Sequence, residues 1–203
     1  MALPQDEDTR RWASLALRRI RDSVRVQVYE DGSQWEQSPM YHNEVFHCLC
    51  CVVYLARANG IRLDPGLEET VHRMALADVI WRKPDGCQFI QGDSDEVDLR
   101  DKITMGAWLF RDPVLKYAGF DRMDFEGAWD FGRKASLEYR SLPAEKPGFT
   151  SACLKDSGNY YLRESWEENA NLLHFTCGAM STGHCHGDKL HVDLVLNGED
   201  VLV

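Results

Sequence analysis

Residues 141–148 read SLPAEKPG. Two prolines and a glycine in eight positions break any regular element, because proline lacks an amide donor and glycine costs the most backbone entropy to order. The hydrophobic pattern also changes across this stretch. Upstream, apolar residues recur every three or four positions; downstream, every second one. The first period is that of a helix and the second that of a half-buried strand. The sequence therefore predicts an α+β chain, with a helical region over residues 1–142 and a β region over residues 149–203.

Upstream, Trp12, Ala16, Ile20 and Val24 recur every four residues and predict one amphipathic helix. Ser38-Pro39 predicts the start of a second, as an N-cap followed by proline in the first turn. Val45, Leu49, Val52, Val53 and Ala56 form its apolar stripe, and Asn59-Gly60 ends it. Cys48 and Cys51 fall on the same predicted face and are expected to be buried thiols. A third helix runs from Asp64-Pro65 through Val71, Met74 and Val79 to about Trp81, where Pro84-Asp85-Gly86 stops it. A fourth carries Leu99, Ile103, Ala107 and Phe110, and a fifth spans about Phe125 to Leu137.

Downstream, residues 149–154, 159–165 and 171–177 read as strands bounded by Gly158, Glu167-Glu168-Asn169 and Gly178. Leu190, Val192, Leu194 and Leu196 form a fourth, and Asn197-Gly198 predicts a tight hairpin into a fifth at Val201-Leu202-Val203. A sheet this small with an apolar edge is a poor stand-alone unit. The expectation is a piece of a longer chain whose sheet continues past Val203.

Composition narrows the function. The formal charge of −10 argues against nucleic acid, which selects basic surfaces. Six arginines between residues 10 and 25 read as a solvated helix face. No run of apolar residues is long enough to span a membrane, and MALPQDEDTRRW is no signal peptide. The seven cysteines follow neither a zinc-knuckle nor a disulfide spacing, which favours a reducing compartment.

Three segments carry polar groups in unusual density. In DGSQWEQSPMYHNEVFH, residues 31–47, a helix capped by Ser38 places Tyr41 in the first turn. The macrodipole there favours a phenolate and hence general-base chemistry; the alternative is that Tyr41 packs one turn before Val45. In PDGCQFIQGDSDEVDLRD, residues 84–101, the spacing of Asp93, Asp95 and Asp98 has some likeness to a calcium loop but lacks its central glycine and closing glutamate. A loop capping the next helix is the simpler reading. In GHCHGDKLHVD, residues 183–193, an extended backbone would put His184, His186 and Asp188 on one side. Such an array suits a divalent metal but is only a partial shell; a hydrogen-bonded polar loop is the other reading.

The three segments, in this order, resemble the heparinase II/III-like polysaccharide lyases. DGSQWEQSPMYH is similar to that family's DG…E-x-S-x-x-Y-H segment, residues 84–101 to its PDG…GDsD loop, and GHCHGDKL to its GHxHxDxL segment. The resemblance implies the C-terminal part of an incomplete (α/α) toroid, followed by the first strands of an antiparallel β-sandwich, with the active site between them. It implies β-elimination on uronate-containing acidic polysaccharides such as glycosaminoglycans or alginate. Tyr41 would match the catalytic tyrosine and His184 the catalytic-site histidine. His186 would ligate a structural divalent metal, zinc by resemblance, while Glu36 and His42 would contact substrate. A bacterial source follows, with cytoplasm and periplasm both open.

This chain also departs from the pattern. Nothing upstream of Asp31 matches the family's carboxylate-neutralising residue, five helices are about half the expected number, and Cys185 stands where a glycine is usual. The remaining metal ligands are expected past Val203. Two other readings stay open: a non-catalytic carbohydrate-binding relative, or a metal-dependent hydrolase using His184, His186 and Asp188.

Overall fold

The computed structural model describes residues 6–180 and 183–203. Among these, six helices precede five strands: α1 (Glu7–Gln27), α2 (Pro39–Ala58), α3 (Pro65–Trp81), α4 (Arg100–Phe110), α5 (Pro113–Ala118) and α6 (Phe125–Arg140), then β1 (Ala152–Leu154), β2 (Asn159–Arg163), β3 (Leu172–Thr176), β4 (His191–Leu196) and β5 (Glu199–Leu202). Helix ends at Arg140 and strand begins at Ala152, on either side of the SLPAEKPG stretch. No helix among the described residues is long and apolar enough to cross a membrane.

Aspartates start the helices. Asp6, Asp64, Asp112 and Asp124 accept from first-turn amides of α1, α3, α5 and α6, satisfying donors with no partner inside the helix. Helix α5 was not anticipated, although Asp112-Pro113 repeats the Asp64-Pro65 start signal; its six residues are too few to show a period. Helix α6 is kinked at Gly132, whose φ of 80° is outside the helical range.

The core is built from α2, α3 and α4. Phe46, Cys50, Val53, Val71, Met74, Ile103 and Met105 are fully buried there. Gly106 permits the close approach, since a Cβ at that position would lie 2.9 Å from Ala75 Cβ and 3.2 Å from Phe46 Cζ. Two expectations are corrected. The inward face of α2 carries His42, Asn43, Phe46, Leu49, Cys50, Val53 and Ala56, so the buried thiol is Cys50, with Cys48 exposed and Cys51 half-buried. Residues 45–56 are apolar nearly all round, so contact with α3 and α4 decides the face, not periodicity. Trp12 is 55% exposed and Val24 is the buried residue of α1. A repeat shows which residues share a face, not whether that face is covered.

The strands form one antiparallel sheet in the order β1-β2-β3-β4-β5. They are shorter than the apolar runs suggested, and alternate residues of β2 and β3 are buried. Asn197 and Gly198 have φ of 53° and 82°, the left-handed pair that a two-residue hairpin of this hand requires. The sheet docks on the helices through Phe89, whose ring lies 5.0 Å from His174 and 6.0 Å from Tyr161. Polar ties frame that contact. Lys83 Nζ lies 2.5 Å from Asp200 Oδ2, and Asp31 and Asp156 each accept the other's backbone amide, at 2.7 and 3.1 Å.

Candidate functional site

The site forms where the first turn of α2 meets two loops. Ser38 occupies the N-cap position of α2, yet its side chain does not cap its own helix. Its hydroxyl lies 2.7 Å from Ser94 Oγ, which accepts from the Met40 amide at 3.2 Å. The loop after α3 therefore supplies the cap, worth about 1 kcal/mol in ordinary cases, and fixes the turn that carries Tyr41. Further along, Asp98 Oδ1 accepts from the Arg100 amide at 2.9 Å, so the same loop also supports the start of α4.

The backbone of this loop grips the histidine segment. The Asp93 amide donates to His184 O at 2.9 Å. Gly92 makes this possible: its φ is 59°, and a Cβ there would fall 2.4 Å from His184 O. On the other side Gln37, itself left-handed at φ 55°, donates to Ala179 O at 3.1 Å.

These restraints bring Tyr41 and His184 together. Their rings stack with centroids 3.4 Å apart and planes 6° from parallel. Asp93 holds both histidines: His184 Nδ1 donates to its Oδ2 at 2.9 Å and His186 Nε2 to its Oδ1 at 2.5 Å. The bond from His184, then that from His186, keeps the Asp93 carboxyl below its ordinary range. With Nδ1 engaged, His184 has Nε2 left for a ligand. Beside these residues lies a cleft lined by Gln37, Gln91, Gly178, Cys185, His186 and Lys189.

Glu36 lies beside the histidine segment. A Cβ on Gly183 would come within 3.1 Å of its Cγ, so the Glu36 side chain packs on the start of the histidine loop. His42 is placed otherwise. It is 1% exposed, its Nε2 donates to Met74 O at 3.2 Å, and its ring meets Trp81 edge-on at 4.7 Å. Burial pushes its pKa down to about 3. The expectation that His42 contacts substrate is therefore corrected: neighbouring positions on a helix diverge by about 100°, and the turn that presents Tyr41 sends His42 inward.

The donor types around His186 suit zinc, which takes imidazole and carboxylate oxygen. His186 meets Asp93 through Nε2, and its Nδ1 is 3.9 Å from Asp188 Oδ2. Among the described residues, groups of three ligand atoms within 4.8 Å of one another occur elsewhere. The groups around His186 do not complete a metal shell among the described residues.

Sequence reasoning missed Asp93 as the group that joins both histidines. The GDSD segment around it was noticed, but a carboxylate's partners across 91 and 93 positions leave no local signal. It also missed a second cluster inside the sheet. His174 Nδ1 donates to Asp193 Oδ2 at 2.7 Å and His191 Nε2 to Oδ1 at 3.1 Å, while His174 Nε2 lies 3.0 Å from Asn159 Oδ1.

A family model described as Heparinase II/III N-terminus matches residues 1–117. Two curated proteins described as heparin-sulfate lyase are similar along almost all of the chain. The one from Pedobacter heparinus is 23% identical over 211 residues, covering 98% of this chain and 28% of that protein. The one from Bacteroides stercoris is 22% identical over 203 residues, with the same coverage. The chain thus spans little more than a quarter of their length. Among solved structures, heparan sulfate lyase HepC from Pedobacter heparinus matches with a TM-score of 0.77 at 23% identity, over 97% of this chain and 29% of that one. A heparinase III matches with a TM-score of 0.79 at 21% identity and the same coverage. These likenesses show a shared mixed fold of helices and antiparallel sheet. With more than half of its residues matched by the family model, the chain belongs to the heparinase II/III family.

Proposed function

We propose that this chain is part of a polysaccharide lyase that cleaves a uronate-containing acidic polysaccharide by β-elimination. The observation that carries the reading is the stacked pair of Tyr41 and His184, two chemically competent side chains from distant segments, held face to face by the loop that carries Asp93. In this reading the helices are the C-terminal part of an incomplete (α/α) toroid, the strands begin a β-sandwich, and the division falls between residues 142 and 149.

Tyr41 takes the proton from C5 of the uronate. The freed electron pair forms the C4–C5 double bond as the C4–O4 bond breaks, and Tyr41 returns a proton to O4. Its position in the first turn of α2, fixed by the Ser94 cap, holds the phenol oxygen in one place for both transfers. His184, oriented by Asp93 and doubly protonated in this step, donates from Nε2 to the substrate carboxylate and stabilises the charge that builds there. Glu36 borders the sugar subsite. His186 is proposed as one ligand of a divalent metal, zinc by family resemblance, which would hold the loop rather than take part in the chemistry.

The product, a 4,5-unsaturated uronate, absorbs in the ultraviolet, and a hydrolase or simple binder makes none. Heparan sulfate is the first substrate to try, because the similar curated proteins are described as heparin-sulfate lyases. Assayed in the protein that carries this chain, Tyr41→Phe is expected to lower kcat by about 10²–10⁴-fold, the usual size of general acid–base catalysis. Undiminished turnover in that variant would sink the mechanism. Metal analysis of the protein and of His186→Ala tests the metal: equal metal content in both removes His186 from the shell.

A further inference from the structure

We propose that His47, Cys51 and Asp130 form a second metal site, of zinc type, on the helical side of the molecule. It is independent of the lyase reading.

The site is built by two helices facing each other. His47 and Cys51 are four apart on α2, so they share a face one turn apart; Glu126 and Asp130 are related in the same way on α6. His47 Nε2 lies 2.6 Å from Asp130 Oδ2, and Cys51 Sγ lies 3.9 Å from that same oxygen. The three ligand atoms are all within 4.8 Å of one another, and all three residues are half-buried. Tetrahedral zinc, with bonds of about 2.0 Å to N or O and 2.3 Å to S, holds its ligand atoms roughly 3.3–3.6 Å apart. Shifts of under about 1 Å would admit the ion.

Two further observations separate this cluster from an ordinary ion pair. First, the other nitrogen of His47, Nδ1, faces Glu126 Oε1 at 3.9 Å, while Lys102 Nζ holds Glu126 Oε2 at 2.6 Å. A carboxylate behind the far nitrogen is the usual support of a metal-ligating histidine. Second, the two other groups of clustered ligand atoms among the described residues already contain a cation. Lys102 sits 3.0 Å from Asp101 and 2.6 Å from Glu126, and Lys83 sits 3.6 Å from both Asp85 and Glu96. Around Asp130 the partners are an imidazole and a thiol, which are ligands rather than competitors. A nitrogen, sulfur and oxygen set selects zinc over magnesium or calcium. Partial exposure leaves the fourth position to water.

Cobalt(II) is the probe, because a thiolate bound to it gives a charge-transfer band in the near ultraviolet and a tetrahedral site gives intense visible bands. One equivalent of cobalt is expected to produce both in the whole chain. The band should persist in His186→Ala and in Cys185→Ser, and disappear in Cys51→Ser. Asp130→Asn keeps volume and hydrogen bonding to His47, so it serves where Cys51→Ser fails to fold by circular dichroism. It should weaken cobalt binding tenfold or more. No charge-transfer band at one equivalent, or a band lost with Cys185 instead of Cys51, overturns the proposal.

Discussion

Two aspartates in this chain each sit between two histidines, in opposite surroundings. Asp193 bridges His174 and His191 at 2.7 and 3.1 Å; Asp93 bridges His184 and His186 at 2.9 and 2.5 Å. The Asp193 side chain is 3% exposed and that of His174 not at all, whereas Asp93 is 47% exposed. The lengths are alike, so burial decides what each cluster does. His174 and Asp193 are direct cross-strand partners, and the β-ladder sets their geometry. The Asp93 cluster has no ladder beneath it; Gly92 and one backbone hydrogen bond hold it, and it opens on a cleft. One arrangement braces the sheet, and the other leaves an imidazole edge free for a ligand.

The largest expected effect comes from breaking the buried cluster. Asp193→Ala strands the buried nitrogen of His174, which is not exposed at all, and removing one member of such a buried pair costs about 3 kcal/mol or more. Chemical denaturation reads this directly; a loss under about 1 kcal/mol would show that the sheet does not depend on the bridge. Acid should act in the same direction. Burial pushes the Asp193 carboxyl up, but the hydrogen bond from His174 and then that from His191 outweigh it, so its pKa lies below the ordinary value. Its contribution is therefore complete above the unfolded pKa of about 3.9. It is lost as pH falls through the lower folded value.

A third histidine and aspartate sharpen the comparison because they meet without bridging. His42 Nε2 is 3.7 Å from Asp78 Oδ1, with both side chains buried. Asp78 Oδ1 instead accepts from Trp81 Nε1 at 3.1 Å, and Asp78 Oδ2 has no partner. Burial, and then the nearby charge of Asp101, raises the Asp78 pKa well above 3.8, while burial lowers that of His42 to about 3. Burial thus works against the charged form of each, and at 3.7 Å the two make no hydrogen bond. Asp78→Asn keeps the acceptor for Trp81 Nε1 and removes the titrating carboxyl, so it should stabilise the chain at neutral pH, as chemical denaturation would show. The raised folded pKa means that the cost of Asp78 is present above its unfolded value and vanishes as pH falls toward about 4. The gap between variant and parent should narrow over that range.

These three pairs also show what the sequence could reveal. Helix starts were legible at Asp64-Pro65 because that cap is local chemistry, at Ser38-Pro39 because proline suits a first turn even though Ser94 supplies the cap, and the hairpin at Asn197-Gly198 because only certain residues tolerate positive φ. Tyr41 and His184 were named from their segments, Tyr41 with a further local reason in its first-turn position. Asp93 was noted only for a calcium-like spacing, and His174 and Asn159 not at all, since their roles depend on partners brought in by the fold. His42 was misplaced because a helix start specifies phase only once neighbouring helices choose the inward face. The same gap exchanged Cys50 for Cys48 and Cys51 in the expected core.

The smallest effect on stability, and the sharpest test of the comparison, is Asp93→Asn. An exposed bridge between loops contributes little to stability, so denaturation should barely register the change. Function should register it, because the amide holds His184 Nδ1 less firmly than a carboxylate and the ring stacked on Tyr41 loses its fixed orientation. Asp93 is then a positioning residue. In the protein that carries this chain, kcat on an acidic polysaccharide should fall about tenfold, within the range seen when the partner of a functional histidine is removed. KM should change little, and Asp93→Glu should recover part of the rate. If Asp93→Asn destabilises the chain as much as Asp193→Ala, burial is not what separates the two clusters. If it changes neither stability nor rate, the bridge on His184 has no part in catalysis.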